Sequence, residues 1–463
     1  MRQEHRNVEI GPRRNTRAGW RRERWALMVC VLAGALLPQR AVAQAPNIVE
    51  LSQAAASGSS WQTPLRFQGE KPQDEVSLRV GTSAFYDDNV LARNDLRLSD
   101  EALAIDSRLG VVLHSEHSLI NFDYTPFFVL YRQFDRYDRL NHAANVSFKY
   151  ALTRRLILGL RDSFSYQNGA YPTLAGSVEM SGLTSPAGLN RLLFPYTTRT
   201  LSNAAGLDLT FVQSAHTAVI VFGGYNTTHF ESEVAGHPLY NGDGGSGGVT
   251  LQYRFNQFTN LGATAMYQDT VYHGGYSVDN HMRSQIESVL FSAGARLAPT
   301  LTVVLFGGPQ HFQSIGEMLP GMSTSGRYTA AWGVSLTKQF HATALTGSLQ
   351  RSVADGGGLF PSIVDTSANF AARRRLTGRW EVDVHAGLGR ADTSLLLPVG
   401  DRTQTFDGGI TFTRPMVRDS VLHLAYESTH QLTQGTLPMG FNFDRNQVTI
   451  GFDFGLSTLL SEK

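Results

Sequence analysis

The segment Ala144-Asn145-Val146-Ser147-Phe148-Lys149-Tyr150 places apolar side chains at every second position, with polar side chains between them. In a β-strand, successive side chains point to opposite faces of the sheet. The segment therefore predicts a strand with one apolar face and one polar face. The same alternation returns along the chain, at residues 207–211, 249–255, 380–388 and 448–454.

The connections between these strands distinguish a membrane barrel from a soluble sandwich, which also alternates because one face packs a core. Membrane barrels have short turns at one end and long loops at the other. Short connections follow the even-numbered strands, at 115–118, 153–155, 214–217, 256–259, 298–300, 339–343, 374–378 and 414–420. Longer Gly-, Asn- and Asp-rich connections alternate with them, at 87–101, 135–141, 169–198, 231–246, 273–281, 314–325, 354–361, 391–401 and 431–440. The pattern predicts an all-β fold, a transmembrane antiparallel up-and-down β-barrel of about 18 strands (16 to 18), with both termini periplasmic.

The composition excludes a bundle of membrane helices. Only 17% of the residues are charged, yet the mean hydropathy is −0.17. A barrel carries its apolar residues at alternate positions, whereas a spanning helix needs about 20 consecutive apolar residues. No stretch beyond the amino terminus approaches that length. The mature chain is therefore predicted to lack a helical span.

Residues 1–43 are predicted to be a cleaved signal peptide. An apolar segment at residues 25–37 precedes the small-x-small cleavage site Ala41-Val42-Ala43. The basic region before it contains Arg17, Arg21, Arg22 and Arg24. The only cysteine, Cys30, lies in the apolar segment, so the exported chain is predicted to lack disulfides and Cys-metal sites.

The mature chain divides into a tail, a barrel and a short end. Residues 44–75 are poor in apolar side chains and predict a flexible periplasmic amino-terminal tail, with a short plug inside the lumen as the alternative. Residues 76–456 are predicted to form the outer-membrane β-barrel, and residues 457–463 a carboxyl-terminal tail. One barrel accounts for nearly all of this length, so no second folded domain is predicted.

Aromatic side chains mark both ends of the predicted strands. The long-loop ends carry Tyr86, Tyr131, Phe134, Tyr166, Tyr225, Phe230, Tyr267, Tyr272 and Tyr426, and the short-turn ends carry Tyr150, Phe211, Phe255, Phe340 and Phe412. Aromatic rings settle at both interfaces of a membrane, where they form two girdles. These residues are therefore predicted to mark the two membrane surfaces.

The sequence contains no catalytic or cofactor motif. A Walker-type phosphate loop, His-Glu-x-x-His, Gly-x-Ser-x-Gly and paired Cys spacings are all absent, although a membrane-embedded hydrolase could assemble Ser, His and Asp across neighbouring strands. Asp87-Asp88-Asn89 and Asn241-Gly242-Asp243-Gly244-Gly245 could suggest an ion site, but Ca²⁺ requires six to eight oxygens, and solvated turns are the preferred interpretation. No enzymatic activity, cofactor or metal site is predicted.

The charge balance argues against a nucleic-acid partner. Without the predicted signal, the chain contains 31 basic and 36 acidic residues, which gives a net charge of about −5. Nucleic-acid binding would require a basic patch. No nucleic acid is therefore expected among the partners.

Two stretches resemble a known family. They are Tyr86-Asp87-Asp88-Asn89-Val90 and Tyr131-Arg132-Gln133-Phe134-Asp135-Arg136-Tyr137-Asp138-Arg139-Leu140-Asn141-His142. Both resemble the β-barrel porin-2 type of bacterial outer-membrane protein, and the likeness covers residues 76–166. It implies a Gram-negative outer membrane, contact with outer-membrane lipid and the barrel insertion machinery, and an association with polysaccharide export components. The chain departs from the usual barrel ending, because it runs nine residues past Phe454 instead of stopping at a terminal aromatic residue.

Strand alternation also predicts which charged side chains line the lumen. The inward positions are Arg79, Arg108, Lys149, Arg161, Arg254, Asp106, Asp123, Asp208, Glu381 and Asp383, together with Asp453. A charged side chain facing lipid costs about 2–4 kcal/mol at the membrane midplane, which favours the inward assignment. The two signs are mixed, so the lining predicts a hydrophilic lumen with no stated preference for cations or anions.

Two classes of function follow from such a barrel. The first is a porin-like passive channel for small polar solutes, tied by the resemblance to exopolysaccharide export. The alternative is a non-conducting structural or scaffold barrel whose loops bind a partner. Residues 169–198 form the longest predicted loop and are rich in Leu and Pro, so they could fold back as a constriction or contact a partner subunit. The sequence leaves the oligomeric state open.

Overall fold

The computed structural model describes most of the region predicted to form the barrel. The described residues are 74–94, 96–168, 199–231, 239–274, 281–315, 326–356, 360–377, 379–392, 402–416, 420–434 and 442–460. The predicted signal, residues 44–73 of the predicted tail and the whole loop at 169–198 lie outside them. Among the described residues, no helix is long and apolar enough to cross a membrane.

The described residues form eighteen β-strands and one short 3-10 helix. The strands are β1 (Asp74–Asp87), β2 (Asp100–His114), β3 (Ser118–Tyr131), β4 (Arg139–Thr153), β5 (Leu156–Asn168), β6 (Arg199–Val212), β7 (Thr217–Phe230), β8 (Tyr240–Arg254), β9 (Thr259–Gly274), β10 (His281–Ala298), β11 (Leu301–Ile315), β12 (Arg327–Gln339), β13 (Thr343–Gly356), β14 (Phe360–Thr377), β15 (Trp380–Asp392), β16 (Arg402–Pro415), β17 (Ser420–Gln434) and β18 (Phe443–Leu460). The 3-10 helix spans Asp135–Tyr137, between β3 and β4. Strand β18 extends beyond residue 456, where the barrel was predicted to end.

The eighteen strands close into a single antiparallel barrel. Each strand pairs with its neighbours in sequence, and β1 pairs with both β2 and β18. The closing register runs from Asp74 opposite Leu460 to Asp87 opposite Gln447. Closure leaves no free sheet edge at this seam, because the backbone groups of both strands are paired. The predicted all-β, antiparallel, up-and-down barrel of 18 strands is confirmed.

Because side chains alternate along each strand, the barrel has an outer and an inner surface of different composition. On β1, Leu78 and Val80 are exposed on the outside, whereas Ser83 and Phe85 are buried on the inside. The outward face is apolar on other strands as well, for example at Leu207, Leu209 and Phe211 of β6, Val249 and Leu251 of β8, and Phe452 and Phe454 of β18. The exposed hydrophobic side chains of this barrel therefore cover its exterior, while Phe85 belongs to a smaller apolar cluster inside, with Phe127 and Val129.

The short connections lie where the sequence predicts them, and side-chain oxygens hold several of them. Ser115 Oγ accepts a hydrogen bond from the Ser118 amide at 3.1 Å, and Thr153 Oγ1 accepts one from the Leu156 amide at 3.1 Å. Such local bonds satisfy amides that the strand ladder leaves free. The first strand begins and the last strand ends at the same end of the barrel as these turns.

Two predicted loops are partly strand. Strand β8 begins at Tyr240, so Asn241–Gly245 lies within the sheet, and the predicted loop at 354–361 shortens to residues 357–359. Glycine permits the first of these differences. A Cβ on Gly244 would lie 2.6 Å from Asn226 Oδ1 and 2.7 Å from Thr270 Oγ1. These glycines are thus packed strand positions rather than turn residues.

Three of the predicted girdle aromatics face the interior, which corrects the sequence prediction. Tyr131, Phe230 and Tyr272 are only 5%, 8% and 2% exposed. They lie at strand ends, as predicted, but on the face that points inward. The height of a residue along its strand can be estimated from the sequence. The face to which its side chain points changes with a shift of one residue, so it requires the exact register. Tyr86, Tyr166, Tyr225, Tyr267 and Tyr426 remain on the outward face.

Candidate functional site

The structure places all the sequence-predicted lumen residues on the inner face of the barrel. Residues opposite each other on neighbouring strands share a face, so the register can be followed from strand to strand. Arg79 lies opposite Arg108, and Gly81 lies between Asp106 and Asp453. The other residues on this face are Asp123, Lys149, Arg161, Asp208, Arg254, Glu381 and Asp383.

The first inner cluster joins β17, β18, β1 and β2. Arg79 Nη2 donates to Asp453 Oδ2 at 2.6 Å, and His423 Nδ1 lies 3.3 Å from the same oxygen. Asp453 and His423 are almost fully buried. Gly81 makes this arrangement possible, because a Cβ there would lie 2.5 Å from Asp453 Oδ1 and closer still to Asp106 Oδ1. Sequence reasoning did not select His423, although its alternation places it inward.

A second pair on β2 and β3 extends this cluster. Arg108 Nε donates to Asp123 Oδ1 at 2.8 Å. Arg108 lies directly opposite Arg79 in the sheet, and two like charges at that spacing repel each other. Each guanidinium is compensated by its own carboxylate, which makes the close approach of the two arginines tolerable. The paired side chains are held against the wall.

Further ion pairs line β5, β6, β14 and β15. Arg161 lies 3.5 Å from Asp208. Arg373 Nε lies 2.8 Å from Asp383 Oδ1 and 3.2 Å from Glu381 Oε1, so it bridges two carboxylates. Sequence reasoning did not select Arg373, which directly precedes the predicted connection at 374–378; in the structure β14 continues to Thr377.

The charged groups occupy only part of the inner surface. Among the described residues of β7 to β13, the inward charged side chains are Arg254, Arg296 and Arg327, and all three lie at or near strand ends. Between them the wall carries hydroxyl and carboxamide groups together with buried apolar side chains such as Met266 and Leu290; Gln310 Nε2, for example, donates to Ser288 Oγ at 3.0 Å. The interior thus has an ion-paired wall and a neutral wall.

The outer surface carries an apolar band that ends at a charged collar. On β10 the outward side chains from Val289 to Leu297 are apolar, and at a strand tilt of about 40° this stretch rises roughly 20 Å. Level with the outward tyrosines and beyond them, ion pairs lie around the long-loop end; we call this set the collar. It includes Glu101–Arg132 at 2.7 Å, Asp243–His273 at 3.5 Å, Asp269–Arg283 at 2.7 Å and Glu287–His311 at 3.5 Å.

One further carboxylate faces outward near the upper edge of the band. Asp162 lies between Leu160 and Phe164 on the outer face of β5. Asn203 Nδ2 donates to Asp162 Oδ1 at 3.2 Å, and Asn203 itself is buried. A hydrogen-bond partner lowers the cost of placing a polar group beside apolar surface.

The Asp87-Asp88-Asn89 motif fastens the closing seam of the barrel. Asp87 is fully buried and is paired with Arg445, whose Nε donates to Asp87 Oδ2 at 3.0 Å. Asp88 Oδ1 accepts from the Asn446 amide at 2.7 Å, and Asn89 Nδ2 donates to the Asp444 carbonyl at 2.8 Å. These bonds connect β1 and its following loop to β18. In the described part of the chain, no group of three or more His, Cys, Asp or Glu side chains is placed to hold a metal ion.

The motif at residues 131–142 contains the loop between β3 and β4. Asp100 Oδ2 accepts from the Gln133 and Phe134 amides, both at 3.0 Å. Asp138 Oδ1 accepts from the Tyr131 amide at 2.8 Å. Asp100 of β2 and Asp138 of the motif therefore satisfy backbone amides that would otherwise lack partners at the strand end.

Comparisons with known proteins concern the fold alone. No family model matches the sequence, and no curated protein sequence matches it. OccK2 (OpdF) from Pseudomonas aeruginosa is similar in structure, with 12% identity, a TM-score of 0.44, and coverage of 84% of this chain and 100% of that chain. OccAB4 from Acinetobacter baumannii gives 9% identity, a TM-score of 0.42, and coverage of 84% and 99%. The ferric citrate transporter FecA in its unliganded form gives 8% identity, a TM-score of 0.44, and coverage of 84% and 79%.

Proposed function

We propose that this protein is a passive channel for small polar solutes in the outer membrane of a Gram-negative bacterium. The observation that carries the proposal is the contrast between the two faces of the barrel: its exposed exterior is an apolar band, whereas ion-paired side chains lie on its inner face. An apolar exterior suits hydrocarbon, and a closed barrel satisfies the backbone without water. Barrels of 16 to 18 strands are wide enough to hold an aqueous channel.

The ends of the band support a membrane position. The outward tyrosines lie at the long-loop end of the band, where amphipathic rings suit a membrane interface. The collar begins at the level of these tyrosines and extends beyond them, so its charges would lie among lipid headgroups and water. The estimated rise of the band, about 20 Å, is close to the apolar height of about 25 Å in outer-membrane barrels. In this orientation the short turns, the start of β1 and the end of β18 all face the periplasm.

The interior supports diffusion rather than chemistry. Ion pairs hold charged side chains such as Arg79 and Arg108 against the wall. The neutral wall offers a passing solute half-buried carboxamide and hydroxyl groups such as those of Gln268 and Ser335. Many weak, similar contacts allow a polar solute to enter and leave, which conduction requires. We therefore propose no catalytic role.

A tie to exopolysaccharide export is a separate proposal, supported only by the resemblance of the two motifs. It is tested by deleting the gene and measuring secreted polysaccharide, with restoration by the intact gene. Secretion that falls on deletion and returns on restoration would support this tie. Unchanged secretion would remove the tie and leave the channel proposal standing.

Single-channel conductance tests the channel directly. Residues 44–463, refolded and inserted into planar bilayers, are expected to give steady openings whose current rises linearly with voltage. Folding is checked independently by the mobility difference between heated and unheated protein in a detergent gel. Silence from protein shown to be folded would contradict the channel and favour the closed scaffold barrel.

Replacement of Arg373 by alanine is expected to make the channel more selective for cations. The change removes the guanidinium that bridges Glu381 and Asp383 and leaves two acidic side chains on the inner wall. The measurement is the reversal potential in a salt gradient. Arg375→Ala is the matched control, because Arg375 is far more exposed and lies 3.8 Å from Glu381. Equal shifts in both variants would contradict a specific role for Arg373.

A further inference from the structure

The upper part of the β13–β14 hairpin does not follow the barrel wall. Strand alternation would turn Val353 of β13 and Val364 of β14 outward. Instead, both side chains are buried in one cluster with Ile286 and Phe312, which lie on the inner faces of β10 and β11. The hairpin must therefore lie inside the barrel at this height.

The separation of the strands supports the same conclusion. Strand β14 is four positions from β10 in the sheet, and strands about 4.8 Å apart would place the two roughly 19 Å from each other along the wall. Yet the Oγ atoms of Ser284 on β10 and Ser362 on β14 are 2.7 Å apart. Only a hairpin that bends across the interior can make this contact.

The wall itself shows where the hairpin leaves it. The ladder between β12 and β13 stops at Trp332 opposite Arg351, whereas β12 continues to pair with β11 as far as Arg327. Above this point β13 pairs with β14 alone among the described strands, up to Gly356 opposite Phe360. The two strands therefore separate from β12 and fold inward together, while β14 stays paired with β15 as far as Val364 opposite Asp392.

Side-chain and backbone contacts fix the infolded hairpin to the neutral wall. The Val353 amide donates to Gln310 Oε1 at 3.0 Å, and the other end of the Gln310 carboxamide is held by Ser288. On β14, Ile363 and Asp365 are each only 1% exposed, although they lie on the opposite face of the strand from Val364. Both faces of this segment are thus covered, as expected for a strand enclosed by a barrel.

The infolded hairpin lies at the long-loop mouth. Its partner Ser284 is the inward neighbour of Arg283, which belongs to the collar on the outside of the same strand. The hairpin therefore occupies the lumen at the height of the collar, where any solute must pass. Residues 169–198, which the sequence offered as the constriction, lie outside the described residues.

We propose that the infolded hairpin, described at residues 352–356 and 360–365, forms the constriction that sets the size limit for solutes at the outer mouth. This inference rests on the proposed channel function. The constriction consists of two paired strands held by Gln310, Ser288 and Ser284.

A disulfide tests the location of the hairpin without reference to conduction. The predicted mature chain has no cysteine, so Ser284→Cys combined with Ser362→Cys introduces a single pair whose parent Oγ atoms are 2.7 Å apart. The pair is expected to oxidise in the folded protein, with each single variant as its control. The locked channel should conduct like the wild type. Failure of the folded double variant to form the bridge would overturn the location and, with it, the constriction.

A shortened hairpin tests the constriction itself. Replacing residues 354–363 by Asn-Gly joins Val353 and Val364, which already lie opposite each other, through a two-residue turn suited to a hairpin. Single-channel conductance is expected to rise about twofold or more, since the blocking strands are removed from a lumen of this strand number. Vesicles should also admit larger oligosaccharides.

The outcomes separate this inference from the function on which it rests. Conductance that appears or increases in the shortened variant supports the constriction. Wild-type openings that are unchanged by shortening overturn the constriction and leave the channel intact. Silence in both proteins, with the disulfide formed, overturns the proposed channel and the constriction that depends on it.

Discussion

Replacing Asp87 by alanine is expected to lower the free energy of unfolding by about 3–5 kcal/mol, the cost of removing one partner of a buried ion pair. Asp87 is 0% exposed and Arg445 is 4% exposed, so the substitution leaves a buried guanidinium without its carboxylate. It also removes the acceptor for Gln447 Nε2, at 3.1 Å, and for the Asn89 amide, at 3.0 Å. The loss falls on the seam that closes the barrel.

Unfolding in urea from detergent micelles, followed by the mobility of unheated protein on a gel, measures this loss. Glu101→Ala is the matched control: it breaks an ion pair at the same end of the barrel, but Glu101 and Arg132 are 62% and 70% exposed. Exposed pairs contribute about 0–1 kcal/mol, so the control should stay near the wild type. The double variant Asp87→Ala with Arg445→Ala should recover part of the loss, because no unpaired charge remains. Equal losses for Asp87→Ala and Glu101→Ala would contradict the buried pair.

The strand order could be predicted because its signals are local. Alternation at every second residue and the length of each connection can be read within a few positions of the chain, and together they yielded the barrel and its eighteen strands. Ser115 and Thr153 show why the turns were recognisable, since each bonds an amide two or three residues further along. Exact bounds depended on tertiary packing, as the glycines within β8 demonstrate.

The partners of the inner charges could not be predicted in the same way. Alternation gives the face of Arg79 but not its neighbour, and Asp453 lies 374 residues away in sequence. Only closure of the barrel brings the two together. His423 was missed for the same reason, because a lone histidine gains significance only when the register places it beside Asp453.

No local sequence pattern predicted the infolded hairpin. Residues 343–354 continue an ordinary strand pattern through the point where β13 leaves the wall, and the contacts that draw it inward come from Ser284 and Gln310 on other strands. The motifs at residues 86–90 and 131–142 show the converse. Their residues were prominent in the sequence, and in the fold their acidic side chains bond backbone amides and Arg445 around the rim.

Placing arginine at Val221 is expected to destabilise the membrane-inserted barrel by about 2–4 kcal/mol, as a cation does at the midplane of the lipid-facing surface. Val221 is 50% exposed on the outer face of β7, between Leu209 and Val249 on the neighbouring strands. An arginine there would meet hydrocarbon on the outside and apolar side chains on both flanks. The measurement is the urea midpoint in phospholipid vesicles, together with the yield of insertion.

Gln285→Arg provides the control that assigns this effect to the membrane. Gln285 also faces outward, but it lies in the collar between Arg283 and Glu287, where headgroups and water would surround it. The same cation at that height should cost about 0–1 kcal/mol, because the penalty for charge falls towards the interface. If the exterior instead packed against a soluble partner, the destabilisation caused by each arginine would depend on local packing against that partner. It would not depend on the height of the residue along the barrel. Equal destabilisation by the two arginines would therefore contradict the membrane position of the band.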